Sequence, residues 1–148
     1  MPRVTRSRIV AAPRSEVWTL VSDPYSLPRW WPRTTRVENV EGEGAGGQWT
    51  KVLETAEGRG VRADHRCLDS VEGERYSWEQ LLEGTPFARH LRSSAIEIRL
   101  RDEDGATEIS LASSEALRGM SRFGSPMLRR AQKARLDEAL DGIERALT

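Results

Sequence analysis

The sequence predicts an α+β fold: a seven-stranded antiparallel sheet, two short helices after the first strand, and a long helix at the C-terminus. Three observations carry this expectation. Residues 3–10 alternate like a strand and the period changes after Pro13; a succession of short alternating stretches follows, broken by turns rich in Gly and acid; and Leu and Ile repeat at helical spacing toward the end. With 148 residues the chain has the size of one domain, expected to span 1–148.

Residues 3–10, RVTRSRIV, alternate polar with apolar or small side chains and include β-branched positions, the pattern of a half-buried strand. In Ala12-Pro13-Arg14-Ser15-Glu16 the proline suits a first helical turn. Val17, Trp18, Leu20 and Val21 then cluster on a helix of about three turns, which Asp23-Pro24 stops. The segment DPYSLPRWWP, from Asp23 to Pro32, contains Pro24, Pro28 and Pro32 and admits only a short helix or turns between Pro24 and Trp31.

From Thr34 onward, stretches near 34–41, 47–55, 60–70, 74–83, 89–101 and 107–116 predict six further strands. The breaks between them include Gly42 to Gly47, Gly84-Thr85-Pro86 and Asp102-Glu103-Asp104-Gly105. Such short connections join antiparallel hairpins, so a meander is the natural topology. From about Gly119 to Leu147 the chain turns helical, with Leu136, Leu140, Ile143 and Leu147 spaced by four, three and four. Ser125-Pro126 is a good N-cap and first-turn pair; the main helix starts there, or a helix from Met120 kinks there. The face carrying Leu136, Leu140 and Ile143 also carries Arg129 and Gln132 nearer its start. One half of this helix is therefore suited to sealing a core and the other to walling a cavity.

Composition excludes several classes. The 23 basic and 23 acidic side chains cancel, so no global field attracts nucleic acid or an anionic membrane. Cys67 is the only cysteine, which rules out an intrachain disulfide and a cysteine-based metal site and fits a reducing cytoplasm. No run approaches the roughly 18 apolar residues of a membrane span, and the opening MPRVTRSR lacks a secretory apolar region. The chain is expected to be cytoplasmic, without stable membrane insertion, and a monomer or homodimer. There is no phosphate-binding Gly-rich loop followed by a helix and no nucleophile elbow, and His65 and His90 lack the carboxylate spacing of a ligand set. Neither cofactor nor metal is expected. Aromatic residues are few, yet five are Trp, at 18, 30, 31, 49 and 78.

Ile9-Val10-Ala11-Ala12-Pro13, Val17-Trp18-Thr19-Leu20-Val21-Ser22-Asp23-Pro24 and Leu27-Pro28-Arg29-Trp30-Trp31-Pro32 resemble the START and birch-pollen-allergen (SRPBCC) superfamily, and within it the bacterial polyketide cyclase/dehydrase-like branch. Gly47 at the start of the third strand and the Thr85-Pro86-Phe87 turn add to the likeness, which covers essentially the whole chain. The element order is that of the helix-grip fold. The resemblance implies that the sheet curls around the last helix and leaves between them a cavity for a small hydrophobic molecule, opened or closed by the Tyr25 to Trp31 segment and the hairpin loops. It does not imply one activity, because carriers, cyclases, dehydrases, receptors and chaperone-like modules share the scaffold.

Strand parity nominates the lining. If Arg62, Asp64 and Arg66 meet solvent, then Val61, Ala63, His65 and Cys67 turn inward; Tyr76, Trp78 and Gln80 follow in the next strand, and His90, Arg92, Ser94, Ile96 and Ile98 in the one after. The functional reading places Trp30, Tyr76, Trp78, Phe123 and Met127 around a flat apolar ligand, with His65, His90, Arg92 and Gln132 orienting its polar groups. Against it stands ordinary packing: each Trp fills a core equally well, each His suits a satisfied structural role, and a bulge would turn Arg92 to the rim. Trp18 and Trp49 are assigned to structure, and Cys67 to inert burial.

Three functions remain open. The first is binding or carriage of a lipid, polyketide or aromatic molecule. The second is a cofactor-independent cyclase or dehydrase in which His65, His90 or Tyr76 exchanges protons and Arg92 stabilises an enolate. A third, a protein-interaction module, requires an exposed apolar patch on the outer sheet, where the sequence places charges instead.

Overall fold

Period-two alternation governs the middle of the chain and builds its sheet. The computed structural model describes residues 3–54, 57–119 and 125–148, so Phe123 lies outside the described residues. Strands β1 (Arg3–Val10), β2 (Thr34–Glu41), β3 (Gln48–Glu54), β4 (Gly60–Val71), β5 (Arg75–Gln80), β6 (Leu91–Glu103) and β7 (Ala106–Leu117) form one antiparallel sheet, ordered β1-β7-β6-β5-β4-β3-β2. Strands β2 to β7 are thus a meander, and β1 closes on β7 in unbroken register from Arg3↔Ser114 to Val10↔Thr107. Helices α1 (Arg14–Val21) and α2 (Leu27–Trp30) lie between β1 and β2, and α3 (Ser125–Leu147) ends the chain. The architecture is the helix-grip α+β fold, an open curved sheet holding a C-terminal helix.

Helix α1 is shorter than its apolar cluster suggests. Ser22 caps it, its N–H donating to the Trp18 carbonyl at 3.0 Å, and Asp23 then accepts the Tyr25 N–H at 3.0 Å to begin a separate 3-10 turn, Pro24–Ser26. The carboxylate captures a backbone donor that a longer helix would have used.

Helix α3 seats Leu136, Ala139, Leu140 and Ile143, all essentially inaccessible, against a sheet whose Ile98, Ile109 and Leu111 are equally buried. Complete burial of each large aliphatic chain contributes about 1.5–3 kcal/mol. One contact fixes how α2 meets α3. A Cβ at Gly142 would stand 2.2 Å from the Trp30 carbonyl oxygen, so only glycine permits this approach. Arg29 reinforces it by donating to the Ala146 carbonyl at 3.1 Å.

The start of β6 departs from simple parity. Residues Pro86–Arg89 form a 3-10 turn closed by the His90 N–H, which donates to the Phe87 carbonyl at 3.0 Å, so the strand begins only at Leu91. A register shift between Leu91 and Ser93 follows immediately. No described helix is long and apolar enough to cross a membrane.

Candidate functional site

The concave side of the sheet and one flank of α3 enclose a cavity of about 730 Å³. Parity supplies most of its floor. In β4, Val61, Ala63 and His65 face it; in β5, Trp78 and Gln80; in β6, Ser94 and Ile96; in β3, Lys51 and Leu53. Trp31, the residue that caps the end of α2, closes one side. Helix α3 contributes Ala131, Ala134, Arg135 and Glu138, a stripe at i, i+3, i+4 and i+7 beside the core stripe of Leu136 and Leu140. The two alanines leave the space that larger residues would fill. Exposed Arg33, Glu54 and Glu138, with Phe87 partly covered, mark the rim.

Polar groups gather on the floor. Lys51 is 6% exposed, and its Nζ lies 5.1 Å from the centre of the Trp31 ring. Among the described residues it forms no ion pair; the buried carboxylate nearby, Glu115, is engaged by Arg135. Burial, and then repulsion from the Arg135 guanidinium, bring the Lys51 ammonium down to about 7, against a smaller opposing pull from Glu115. His65 stacks on Trp49, ring centres 6.0 Å apart and planes 8° from parallel. Burial and the Lys51 charge lower its imidazole to about 3. His65 is therefore neutral near pH 7, and with the Ala63 carbonyl accepting from Nδ1 at 3.0 Å, Nε2 is left as an acceptor. Two cavity-lining residues, Gln80 and Arg135, hold a buried nitrogen (Nε2 and Nε respectively) that has no partner among the described residues. Both nitrogens are closed to solvent, so they are unmet donors packed behind the cavity surface, of a kind rare in interiors.

The nominated residues separate into groups. His65 and Trp78 line the cavity. Trp30 is buried behind it, in edge contact with Trp31 and Trp78 at 5.5 and 6.2 Å. Tyr76 is also buried but borders a different depression, with Trp18, Tyr25 and Trp49. Burial, followed by the adjacent Cys67, pushes its phenol up beyond the ordinary range, which unsuits it to proton exchange near neutrality. Gln132 is buried but donates to the Ser113 hydroxyl at 3.1 Å, serving the α3–β7 contact. Cys67 is buried, and desolvation raises its thiol.

Three expectations about lining are corrected. His90 is exposed because it ends the Pro86–Arg89 turn and precedes the strand whose parity would turn it inward. Arg92 is exposed because the register shift between Leu91 and Ser93 breaks the alternation; Leu91 and Ser94 line the cavity instead. Met127 is 74% exposed on the first turn of α3, away from the cavity wall.

Lys51, Glu115 and Arg135 escape nomination from sequence, although a signal exists for each. Lys51 is two residues beyond inward Trp49. Glu115 continues the alternation of Ile109, Leu111 and Ser113, and Arg135 adjoins Leu136 on a helix that presents two inward stripes. Charged residues at inward positions are readily discounted because burial of an unpaired charge is costly.

Among the described residues no three His, Cys, Asp or Glu side chains group as a metal site. The family model for polyketide cyclase/dehydrase and lipid transport matches residues 1–148. No curated protein matches the sequence. Among solved structures, a START superfamily protein from Mycobacterium smegmatis superposes with a TM-score of 0.75 at 14% identity, covering 98% of this chain and 96% of that one. The di-domain ARO/CYC protein BexL from the BE-7585A biosynthetic pathway gives 0.79 at 20% identity, covering 98% of this chain and 46% of its own length. A protein from Thermus thermophilus gives 0.73 at 22% identity, covering 99% and 97%. At these identities the likeness is one of fold.

Proposed function

We propose that this chain, which belongs to the polyketide cyclase/dehydrase and lipid transport family, binds a small, largely apolar molecule bearing a carbonyl or enol oxygen. One observation carries the reading: a cavity of drug-sized volume has largely apolar walls and, on its floor, a Lys51 amine with no ion-pair partner among the described residues. Trp31, Trp78, Leu53 and Ile96 offer flat and aliphatic surface for a ring system, while Lys51 offers a donor for its oxygen. The site thus fits an aromatic ketone or polyketide better than a plain hydrocarbon, which would leave the Lys51 amine unanswered.

The test fills the cavity. Ala134→Phe adds bulk at a position facing the void, where it displaces no core atom. Native mass spectrometry with a panel of aromatic ketones, flavonoid-like compounds and fatty acids is expected to give a one-to-one complex with the native chain, weakened at least ~10-fold in the variant, since losing a fitting pocket costs upwards of ~1.4 kcal/mol. Equal affinity for native and variant chains, or no complex with any compound, would overturn the reading.

A second reading, a cyclase or dehydrase, is favoured by Lys51. An amine titrating at about 7 is matched to proton transfer at neutral pH, and Arg135, although paired with Glu115, lines the same cavity as a cation that would oppose enolate charge. Following a bound polyketone over time distinguishes the two: recovery unchanged indicates carriage, and loss of water or ring closure indicates catalysis.

A further inference from the structure

Lys51 is an unusual residue to find on the floor of an apolar cavity. It is almost wholly buried, no carboxylate among the described residues pairs with it, and its Nζ rests over the Trp31 ring. Glu115, the anion best placed to hold it charged, is taken by Arg135. Around the same cavity the other charged and titratable groups are Arg33, Glu54, His65, Arg135 and Glu138. Arg33, Glu54 and Glu138 are exposed at the rim, where water screens them; His65 and Arg135 face Lys51 from β4 and α3.

We propose that Lys51 is a nucleophilic amine that forms a protonated imine with the carbonyl carbon of a ligand in this cavity. The proposal rests on the binding reading above and adds covalent chemistry to it. A lysine kept as a simple ionic anchor gains from remaining charged. Here the apolar walls and a neighbouring guanidinium both favour loss of the proton, the two means by which lysine nucleophiles are activated. The neutral amine adds to the carbonyl carbon, forming the C–N bond. Its two N–H protons and the carbonyl oxygen leave as water, while one proton from solvent gives the nitrogen its remaining hydrogen and its positive charge. The product cation occupies the place of the ammonium, against the face of Trp31.

The chain has only one other lysine, Lys133, which is exposed on α3, so a modified site can be assigned without ambiguity. The native protein is incubated with 2-acetylnaphthalene and sodium cyanoborohydride, which delivers hydride to the imine carbon and leaves a stable secondary amine. Quenching of tryptophan fluorescence by the corresponding alcohol, 1-(2-naphthyl)ethanol, measures non-covalent binding in parallel. Intact mass is expected to rise by the ketone less one oxygen atom, and peptide mapping to place the adduct on Lys51, with Lys133 and the N-terminus unmodified. At pH 7 labelling is expected to exceed that of N-acetyl-lysine amide in the same solution by ~10²-fold or more, because an amine titrating at about 7 is half neutral there. The rate is expected to climb up to about pH 7 and then level. Alcohol binding without an adduct at Lys51 overturns the imine and leaves the binding reading standing. Failure of the alcohol to quench, with no adduct, overturns both. Labelling at Lys133 or the N-terminus in preference to Lys51 also overturns the imine.

Discussion

Replacing Lys51 with Met is expected to make the protein more stable, and by an amount that depends on pH in a defined direction. In the unfolded chain the amine holds its proton up to about pH 10.5, whereas in the fold it releases it near 7. Between these values the unfolded state binds more protons, so folding carries a penalty that is complete below pH 7 and fades as pH rises toward 10.5. Each tenfold difference in proton affinity is worth ~1.4 kcal/mol, which puts the penalty at about 4 kcal/mol at pH 7 and about 2 at pH 9. Met has similar length and would pack against Trp31 without a charge to desolvate. Urea unfolding followed by tryptophan fluorescence at the two pH values reads both the gain and its decline. The expected gain is roughly 2–4 kcal/mol at pH 7, shrinking by about 2 at pH 9. A gain that does not change with pH, or a variant less stable than the native chain at pH 7, would refute the argument that the amine sits in a desolvated site.

Other outcomes follow from the same geometry. Gly142→Ala is expected to cost about 2–4 kcal/mol in urea or thermal unfolding, although alanine is the better helix former by ~1, because the added methyl collides with the Trp30 backbone; stability equal to that of the native chain would show that α2 yields easily. His65, neutral in the fold until about pH 3 but protonated below about 6.5 when unfolded, is expected to cost stability as pH falls through that window. Between pH 6 and pH 4 the native chain should lose up to ~1.4 kcal/mol per pH unit more than His65→Gln, and parallel curves would argue against a neutral buried imidazole. Thr107→Val removes a buried hydroxyl that donates to the Ala12 carbonyl at 2.8 Å and pins the end of β1; a loss of about 1–2 kcal/mol is expected, and no loss would mean the carbonyl finds another donor.

The order of elements was legible because alternation, Gly-rich turns and the Leu136–Leu140–Ile143 repeat all encode burial over whole segments. The cavity lining was legible only where parity ran undisturbed, as in β4 from Gly60 to Cys67, which turns His65 toward the cavity; past the register shift at Cys67–Asp69, β5 buries Tyr76, Ser77 and Trp78 in succession. It failed at His90 and Arg92 for a local reason: Pro86 nucleates a turn that delays the strand, and the bulge at Leu91–Ser93 resets its phase. Nothing in a period-two pattern announces a one-residue slip. Lys51 and Glu115 obey parity and are passed over because charge is taken to face water, which is true of most charges and least true at sites that do chemistry. For α3, the single hydrophobic repeat draws attention to Gln132, whereas the cavity is bordered by Ala131 and Ala134, whose contribution is the volume they do not occupy.

On the binding reading proposed above, the backbone contact between Trp30 and Gly142 bears on which molecules the cavity would admit. Because α2 is fastened to α3 at van der Waals limits, the backbone that carries the Trp31 wall is held on that side of the cavity. Selection on that side would then proceed by exclusion, with a misfit of one methylene worth about 1–3 kcal/mol. In such a design the residues that tune ligand choice are the smallest ones. Single substitutions at Ala131 or Ala134 would redraw the list of accepted molecules while leaving the sheet, the buried amine and the helix that covers them in place.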